Sequence, residues 1–322
     1  MTGNKLERSD PADRRFRGIL APVVTPFERD FSPDPERLVR RCRSLLAEGV
    51  GLAVFGTNSE GNSLSVDEKI ELLDHLVSAG IEPQHMMPGT GCCAFPETVR
   101  LTRHAVQLGC GGALMLPPFY YKSVDDDGLF RSYAEVVERV GDAALRIYLY
   151  HIPPVSQVGI SIELTERLVS AYPQVIAGIK DSSGDWNHTR ALLERGWADF
   201  RVFSGSEVFL LRNLQAGGAG CISATANVNP AAIVRLYEKW QADEAADLQG
   251  RLNEIRSIIQ QFPMIPALKA IVAHLGDDPQ WMNVRPPLMP LSELQKSALI
   301  EQLDRVCFFA PEPRIPCNGS TM

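Results

Sequence analysis

The 322-residue chain lacks any apolar run of the ~18 residues that a membrane-spanning helix requires, so no membrane partner is expected. Its opening residues, MTGNKLERSDPADRRF, lack the apolar centre of an export signal, and a cytoplasmic location is expected. Basic residues are not in excess. The 32 Lys and Arg stand against 39 Asp and Glu, a net charge of −7, which argues against a nucleic-acid partner. There is no Cys-x-x-Cys, and the seven cysteines (42, 92, 93, 110, 221, 307 and 317) are an odd number, so free thiols are expected. Adjacent Cys92 and Cys93 read as small buried hydrophobes. The chain has no His-Glu-x-x-His, no Walker loop, no dinucleotide fingerprint and no His/Asp/Glu group at metal-ligand spacing, so neither a cofactor nor a metal is expected. Lysine is scarce, with seven in all, at 5, 69, 122, 180, 239, 269 and 296.

Apolar residues (45%) and charged residues (22%) are in ordinary globular proportion, so the order of elements carries the information. Eight short, nearly continuous apolar runs read as strands: 18–24, 51–57, 85–91, 113–117, 146–152, 175–181, 201–205 and 220–226. Strands apolar on both faces belong to a parallel sheet covered by helices. Amphipathic helical patterns fill the gaps at 36–48, 65–79, 96–108, 125–140, 161–171, 185–195, 207–216 and 230–242. Ser65 and Glu68 make a capping box, and Asp125–Asp127 reads as an acidic helix start. One strand and one helix recur about every 30 residues, the size of a βα unit. The fold class is therefore α/β, a (β/α)8 TIM barrel with additional C-terminal helices at 243–261, 264–275 and 292–308. The division expected is a tail at 1–15, the barrel at 16–242, a helical segment at 243–310 and a tail at 311–322.

Barrel active sites lie at the C-terminal ends of the strands. Here those ends read Thr25, GTNSE (56–60), GTG (89–91), PPFYY (117–121), YHIPP (150–154), GIKD (178–181), FSGSE (203–207) and ISATAN (222–227). This is a collar of small residues and hydroxyls around one ammonium, suited to a small anionic ligand. Strand parity places Ile176, Gly178 and Lys180 on one face, with Gly178 leaving room before the lysine. In the barrel interior the ammonium is disfavoured, and a neutral amine can attack a carbonyl to form a Schiff base. The alternative is a structural lysine paired with Asp181 or Glu207. Tyr150 and Tyr120 are candidate proton carriers or, equally, rim aromatics. Thr57 is a candidate relay hydroxyl or a turn residue. His151 falls on the opposite strand face from Tyr150, where a supporting hydrogen bond is expected.

These motifs, with GGAGCISATANV, IPALKAIVAHLG and RPPLMPLS downstream, resemble the dihydrodipicolinate synthase and N-acetylneuraminate lyase superfamily of Schiff-base aldolases. The match runs over about 18–291. The resemblance implies that Lys180 is the Schiff-base lysine, Tyr150 the acid–base tyrosine and Thr57 the relay hydroxyl. It implies that Tyr120 is lent to a neighbouring subunit of a homodimer or homotetramer. Asn58 and Ser59 fall in the carboxylate pocket, Gly205 at the end of the seventh run, and Ile222 where a backbone carbonyl faces the bound 2-oxo acid. Three positions depart from the family: GTNSE replaces GTTGE or GSTGE, YHIPP replaces YNxP, and Val155 stands where lysine-pathway synthases carry an Arg for the aldehyde's carboxylate. The function expected is a lyase or aldolase that uses pyruvate or another 2-oxo acid with an aldehyde. An authentic synthase of lysine biosynthesis, a sugar-acid dehydratase and a non-catalytic 2-oxo-acid sensor remain as alternatives.

Overall fold

The computed structural model describes residues 15–310; the tail expected at 1–15, except Arg15, and the tail expected at 311–322, with Cys317, lie outside the described residues. The described strands are β1 Gly18–Ala21, β2 Gly51–Leu52, β3 Ala113–Met115, β4 Ile147–His151, β5 Ile176–Asp181, β6 Arg201–Ser204 and β7 Gly220–Ile222. The helices are α1 Pro35–Ala47, α2 Val66–Ser78, α3 Phe95–Gln107, α4 Asp126–Val140, α5 Pro153–Ser156, α6 Ile162–Ala171, α7 Trp186–Glu194, α8 Leu210–Gln215, α9 Pro230–Glu238, α10 Ala245–Ile259, α11 Met264–Gly276 and α12 Glu293–Arg305. Local chemistry starts them where the sequence indicates. The Ser65 hydroxyl accepts from the Glu68 amide while the Glu68 carboxylate accepts from the Ser65 amide (3.1 and 2.8 Å). Asp125 caps α4 by accepting from the Gly128 amide.

The strands form one curled parallel sheet in the order β2-β1-β7-β6-β5-β4-β3. The expectation of eight strands is corrected to seven. Residues 85–91 pair only through isolated bridges, Leu52 to Met86 and Gly89 to Leu114. Pro88 lies between these bridges and has no N–H to give a ladder, although its carbonyl accepts from Leu114 (2.9 Å). The segment thus touches both edges of the sheet without becoming a regular strand.

Two apolar layers flank the sheet. The outer one packs Ile147, Leu149, Ile176 and Ile179 under α4, α6 and α7. The inner one gathers Leu20, Ala53, Met87, Leu114, Tyr148, Tyr150, Ala177, Phe203, Ala219 and Ile222. Every strand region sends a residue to that interior, as inward faces of a curled parallel sheet must. Helices α10, α11 and α12 pack through Ile259, Leu268, Ile271, Leu299 and Leu303 against Val24 and Ala224, which follow β1 and β7. They therefore stand over the C-terminal rim of the sheet.

Two local expectations are corrected. Cys93 is exposed and Cys92 half-buried, because both sit in the loop entering α3 and not in a strand. Ile176 does not share the face of Lys180. The pairing of β4 with β5 runs Ile147 to Ile176 and then Tyr148 to Gly178, so one residue of β5 is bulged and the alternation resets.

Candidate active site

Beyond the bulge the alternation holds. Gly178 pairs with Tyr148, Lys180 pairs with Tyr150 on one side and with Phe203 on the other, and these aromatics belong to the interior cluster. Lys180 is 2% exposed, with its Nζ 4.2 Å from the centre of the Tyr150 ring. A Cβ at Gly178 would sit 2.3 Å from the Arg201 carbonyl oxygen of the neighbouring strand and 2.9 Å from the Tyr148 ring, so the glycine makes room for β6 and that tyrosine and not for the lysine.

Lys180 forms no ion pair among the described residues. Both carboxylates that could have held it are committed elsewhere. Asp181 points to the other face, accepting from the Ser183 amide (2.9 Å), His188 (3.0 Å) and Thr189 (2.7 Å). Glu207 accepts from the hydroxyls of Ser223 and Thr225 and from Arg256 (3.2 Å). The choice between structural and reactive lysine thus moves away from a paired ammonium.

The Tyr150 hydroxyl lies 3.0 Å from the Thr57 hydroxyl, and either can donate. Thr57 opens a 3-10 turn, Thr57–Ser59, that follows β2. A small cavity touches Thr57, Tyr150, Gly56, Gly89, Gly91 and Asn62. Asn62 was not among the sequence candidates; it follows the motif by two residues and comes to the cavity only because the chain folds back in a second 3-10 turn, Gly61–Ser63. Asn58 is half-buried beside Thr57. Ser59 is fully buried, and its carbonyl accepts from the Thr25 hydroxyl (2.6 Å). Gly205 donates its N–H to the Asp181 carbonyl (2.6 Å), and a Cβ there would sit 2.7 Å from the Ser182 Cα, so β5 and β6 can converge only on glycine. Ile222 is buried in the interior cluster beside Tyr150. Tyr120 is apart from all of these: it is 73% exposed, packed edge-on against the equally exposed Tyr121.

The sequence reading missed how the turn at Thr57 is held. Lys180 is not the only buried lysine, since Lys269 is 0% and Lys69 3% exposed. Lys269, on α11, pairs with Glu60, donates to the Asn283 carbonyl (2.6 Å) and lies over the Phe27 ring (4.5 Å). Burial pushes it down to about 8 against the pull of Glu60. The other Glu60 oxygen accepts from the Arg285 amide (3.0 Å). The signal in the sequence was a lysine inside the apolar helix MIPALKAIVAHLG. Removing one partner of a fully buried pair leaves the other charge uncompensated, so Lys269→Met is expected to lower unfolding free energy by about 3–5 kcal/mol. The double change Lys269→Met with Glu60→Gln is expected to recover much of that loss in urea titrations. Equal loss in the single and double variants would show that the pair is not what holds the turn.

The profile of the Dihydrodipicolinate synthetase family matches residues 15–306. The chain belongs to this family. An Uncharacterized DapA-like lyase of Chloroflexus aurantiacus is 34% identical over 293 residues, 90% of this chain and 97% of that one. The crystal structure of dihydrodipicolinate synthase from Agrobacterium tumefaciens superposes with a TM-score of 0.84 at 31% identity, covering 90% of this chain and 99% of the other. A crystal structure of YagE, a prophage protein of the dihydrodipicolinic acid synthase family from E. coli in complex with pyruvate, gives 0.82 at 28% identity, covering 91% and 99%. The family read from the sequence is thereby established; of the (β/α)8 barrel expected, the described residues form a curled parallel sheet of seven strands with helices that does not close into a full barrel. Family membership does not choose among the substrates its members use, so the site itself must be read for that.

Proposed function

We propose that this member of the dihydrodipicolinate synthetase family is a class I aldolase or lyase that binds pyruvate or a related 2-oxo acid as a Schiff base on Lys180. The observation that carries this reading is a buried, inward-facing amine with no carboxylate partner, set beside a tyrosine–threonine hydroxyl pair. Lys180 has no carboxylate partner among the described residues, so no ion pair has to be broken before its amine can react. That amine adds to the ketone carbon of the 2-oxo acid. In the carbinolamine so formed the Tyr150 hydroxyl protonates the departing oxygen, which leaves as water as the nitrogen lone pair forms the iminium, and the tyrosinate regains a proton from solvent through Thr57. The resulting iminium accepts the electron pair of the breaking C–C bond in cleavage, giving an enamine; in the reverse sense the enamine attacks an aldehyde. The backbone and side chain of the 57–59 turn, with Asn58, meet the 2-oxo acid's carboxylate. The surface position of Tyr120 supports its being lent to a second copy of the chain in a homo-oligomer. The same reading treats residues 16–242 as one (β/α)8 barrel with 85–91 as its eighth stave, and 243–310 as an attached helical segment.

The second substrate is proposed to be a neutral or hydroxylated aldehyde. An aldehyde carrying a carboxylate needs a cation once it leaves water. Arg285 is engaged elsewhere: its donors go to the Phe31 and Ser63 carbonyls (2.8 and 2.6 Å) and to both oxygens of Glu68, and it stacks on Phe27. Arg256 is held by Glu207. Val155 itself is 59% exposed on the loop after Tyr150. Lys122 remains on that rim, donating to the Phe119 and Ser156 carbonyls.

Two measurements test this. Borohydride reduction with a panel of 2-oxo acids is expected to add the mass of a reduced pyruvyl group to one site, read by intact mass and peptide mapping. With the preferred 2-oxo acid, kcat/KM is expected to be at least about tenfold higher for neutral aldehydes than for aspartate semialdehyde, the discrimination expected of one unpaired charge. Efficient condensation with aspartate semialdehyde that collapses in Lys122→Ala would assign the missing cation to Lys122 and make the chain a dihydrodipicolinate synthase.

A further inference from the structure

Behind the Tyr150–Lys180 pair the same two strands carry a second pair on the opposite face, His151 and Asp181. Both are buried, and a third residue, His188 of α7, joins them. The His188 ring stacks on His151 with centroids 4.3 Å apart and planes 12° from parallel, while its Nδ1 reaches Asp181 at 3.0 Å. Thirty-seven residues and three elements separate the first and last of these in sequence, which is why no spacing motif announced them. One ligand atom from each lies within 4.8 Å of the others, a spacing that a metal ion could bridge. The hydrogen bonding argues otherwise. The His151 Nδ1 accepts the Ile160 N–H at 2.9 Å, so its lone pair is taken and the neutral ring carries its hydrogen on Nε2. Asp181 is likewise satisfied by three donors. The cluster is complete as a hydrogen-bonded stack.

Its reach explains its use. The chain leaves β4 directly after His151, forms α5 with the exposed Val155, and returns at Ile160. Within this loop the Ser156 hydroxyl meets the Ile152 and Val158 carbonyls (3.0 and 2.8 Å), which stiffens the outward half. The bond from Ile160 to His151 ties the returning half to the strand that bears Tyr150. Meanwhile Lys180 and the Tyr150–Thr57 pair are held by the sheet and the interior cluster, independently of that bond.

We propose that the His151–His188–Asp181 stack is a clamp that sets the loop 152–160 as the wall receiving the second substrate, with His151 as its positioning residue. This rests on the aldolase reading given above. The first half-reaction, formation of the 2-oxo-acid adduct on Lys180, does not use that wall; the second does.

The charges of the stack agree with this use. Burial and the neighbouring His188 push His151 down to about 4, keeping its Nδ1 free to accept. The hydrogen bond to Asp181 raises His188. The groups facing these rings are Asp181 from β5, each other from β4 and α7, and Asp185 at the start of α7. The sign follows from each shift. The contribution of neutral His151 is present above the ordinary histidine value of ~6.5 and is lost as pH falls from there toward about 4. The contribution of charged His188 is present below ~6.5 and is lost as pH rises through its raised value. The two contributions coexist between the lowered value of His151 and the raised value of His188.

The test uses the full chain with His151→Phe, which keeps a ring for His188 but has no acceptor, and His151→Asn, which keeps a short acceptor. In His151→Phe the rate of pyruvate trapping by borohydride is expected to stay within about twofold of the parent. The KM for the aldehyde is expected to rise about tenfold, the scale of one buried hydrogen bond, with partial recovery in His151→Asn. Hydrogen exchange of the 152–162 peptide is expected to quicken in His151→Phe. A rise in aldehyde KM on the acid side is expected in the parent and is expected to flatten in His151→Phe. His188→Ala, which leaves the bond from Ile160 to His151 but removes the stack and His188's own hydrogen bond to the Ile160 backbone, is expected to give the same pattern more mildly and serves if His151→Phe does not fold. Equal losses in trapping and in the aldehyde step, or unchanged exchange at 152–162, would overturn the clamp. So would stoichiometric zinc bound by the parent and lost in His188→Ala, which would make the cluster a metal site. If the parent itself traps no 2-oxo acid, the aldolase reading fails, while the exchange experiment still decides whether His151 holds the loop.

Discussion

Replacing Lys180 by alanine is expected to abolish both the borohydride-trapped adduct and turnover, with kcat reduced on the order of 10⁴-fold or more, the scale seen when a covalent nucleophile is removed. The fold is expected to survive. Lys180 has no ion pair among the described residues, so its loss strands no buried countercharge, and Asp181 and Glu207 keep their own partners. The cavity left beside the Tyr150 ring costs packing, opposed by relief from a desolvated amine. Lys180→Arg is expected to be as inactive as the alanine variant, because a guanidinium cannot be deprotonated to attack a carbonyl. Intact mass after reduction, turnover and a thermal melt read the three consequences separately. An adduct that persists in Lys180→Ala would move the site to another amine; Lys69 and Lys269 are the other buried ones, and Lys269 is occupied by Glu60.

Tyr150→Phe is the second large effect, an expected loss of roughly 10²–10⁴ in turnover, the range of a general acid–base group. Phenylalanine preserves the 2%-exposed ring and its contact with Lys180, so it removes the hydroxyl and little else. Stability is expected to fall by about 1 kcal/mol, the net worth of the hydrogen bond to Thr57. Because the two hydroxyls act as one relay at 3.0 Å, Thr57→Val is expected to be costly alone and nearly silent when added to Tyr150→Phe. A double-mutant cycle on kcat measures this directly. Additive losses would mean that Thr57 serves another step, such as holding the carboxylate. Unchanged turnover in Tyr150→Phe would remove the tyrosine from the proton path.

Much of this site was legible in the order of residues because it is built from strand ends. Where the signal is local, sequence and structure agree. The capping box at Ser65, the cap at Asp125, the inward turn of Lys180 and the outward turn of His151 all follow from bonds to neighbours a few residues away or from the alternation of a strand. Local alternation also failed where the sheet bulges. Ile176 left the face of Lys180 because one extra residue was absorbed opposite Tyr148, and nothing in VIAGIKD marks that insertion. The run 85–91 has strand composition, yet Pro83 and Pro88 deny it a continuous ladder.

What the sequence by itself determined was the succession of βα units, the family, and a lysine and a tyrosine at the ends of adjoining strands. The tertiary structure alone decided which charges are spent. Asp181 and Glu207, the two carboxylates offered as partners of Lys180, turn to other donors; Arg285 is engaged by Glu68 and two carbonyls; Lys269 and Glu60, 209 positions apart, meet in the interior. A charge's partner is a matter of distance in space and of the water excluded around it, and neither is written in local pattern. The sequence can therefore place a lysine on a strand, while only the packed molecule can leave it without a countercharge.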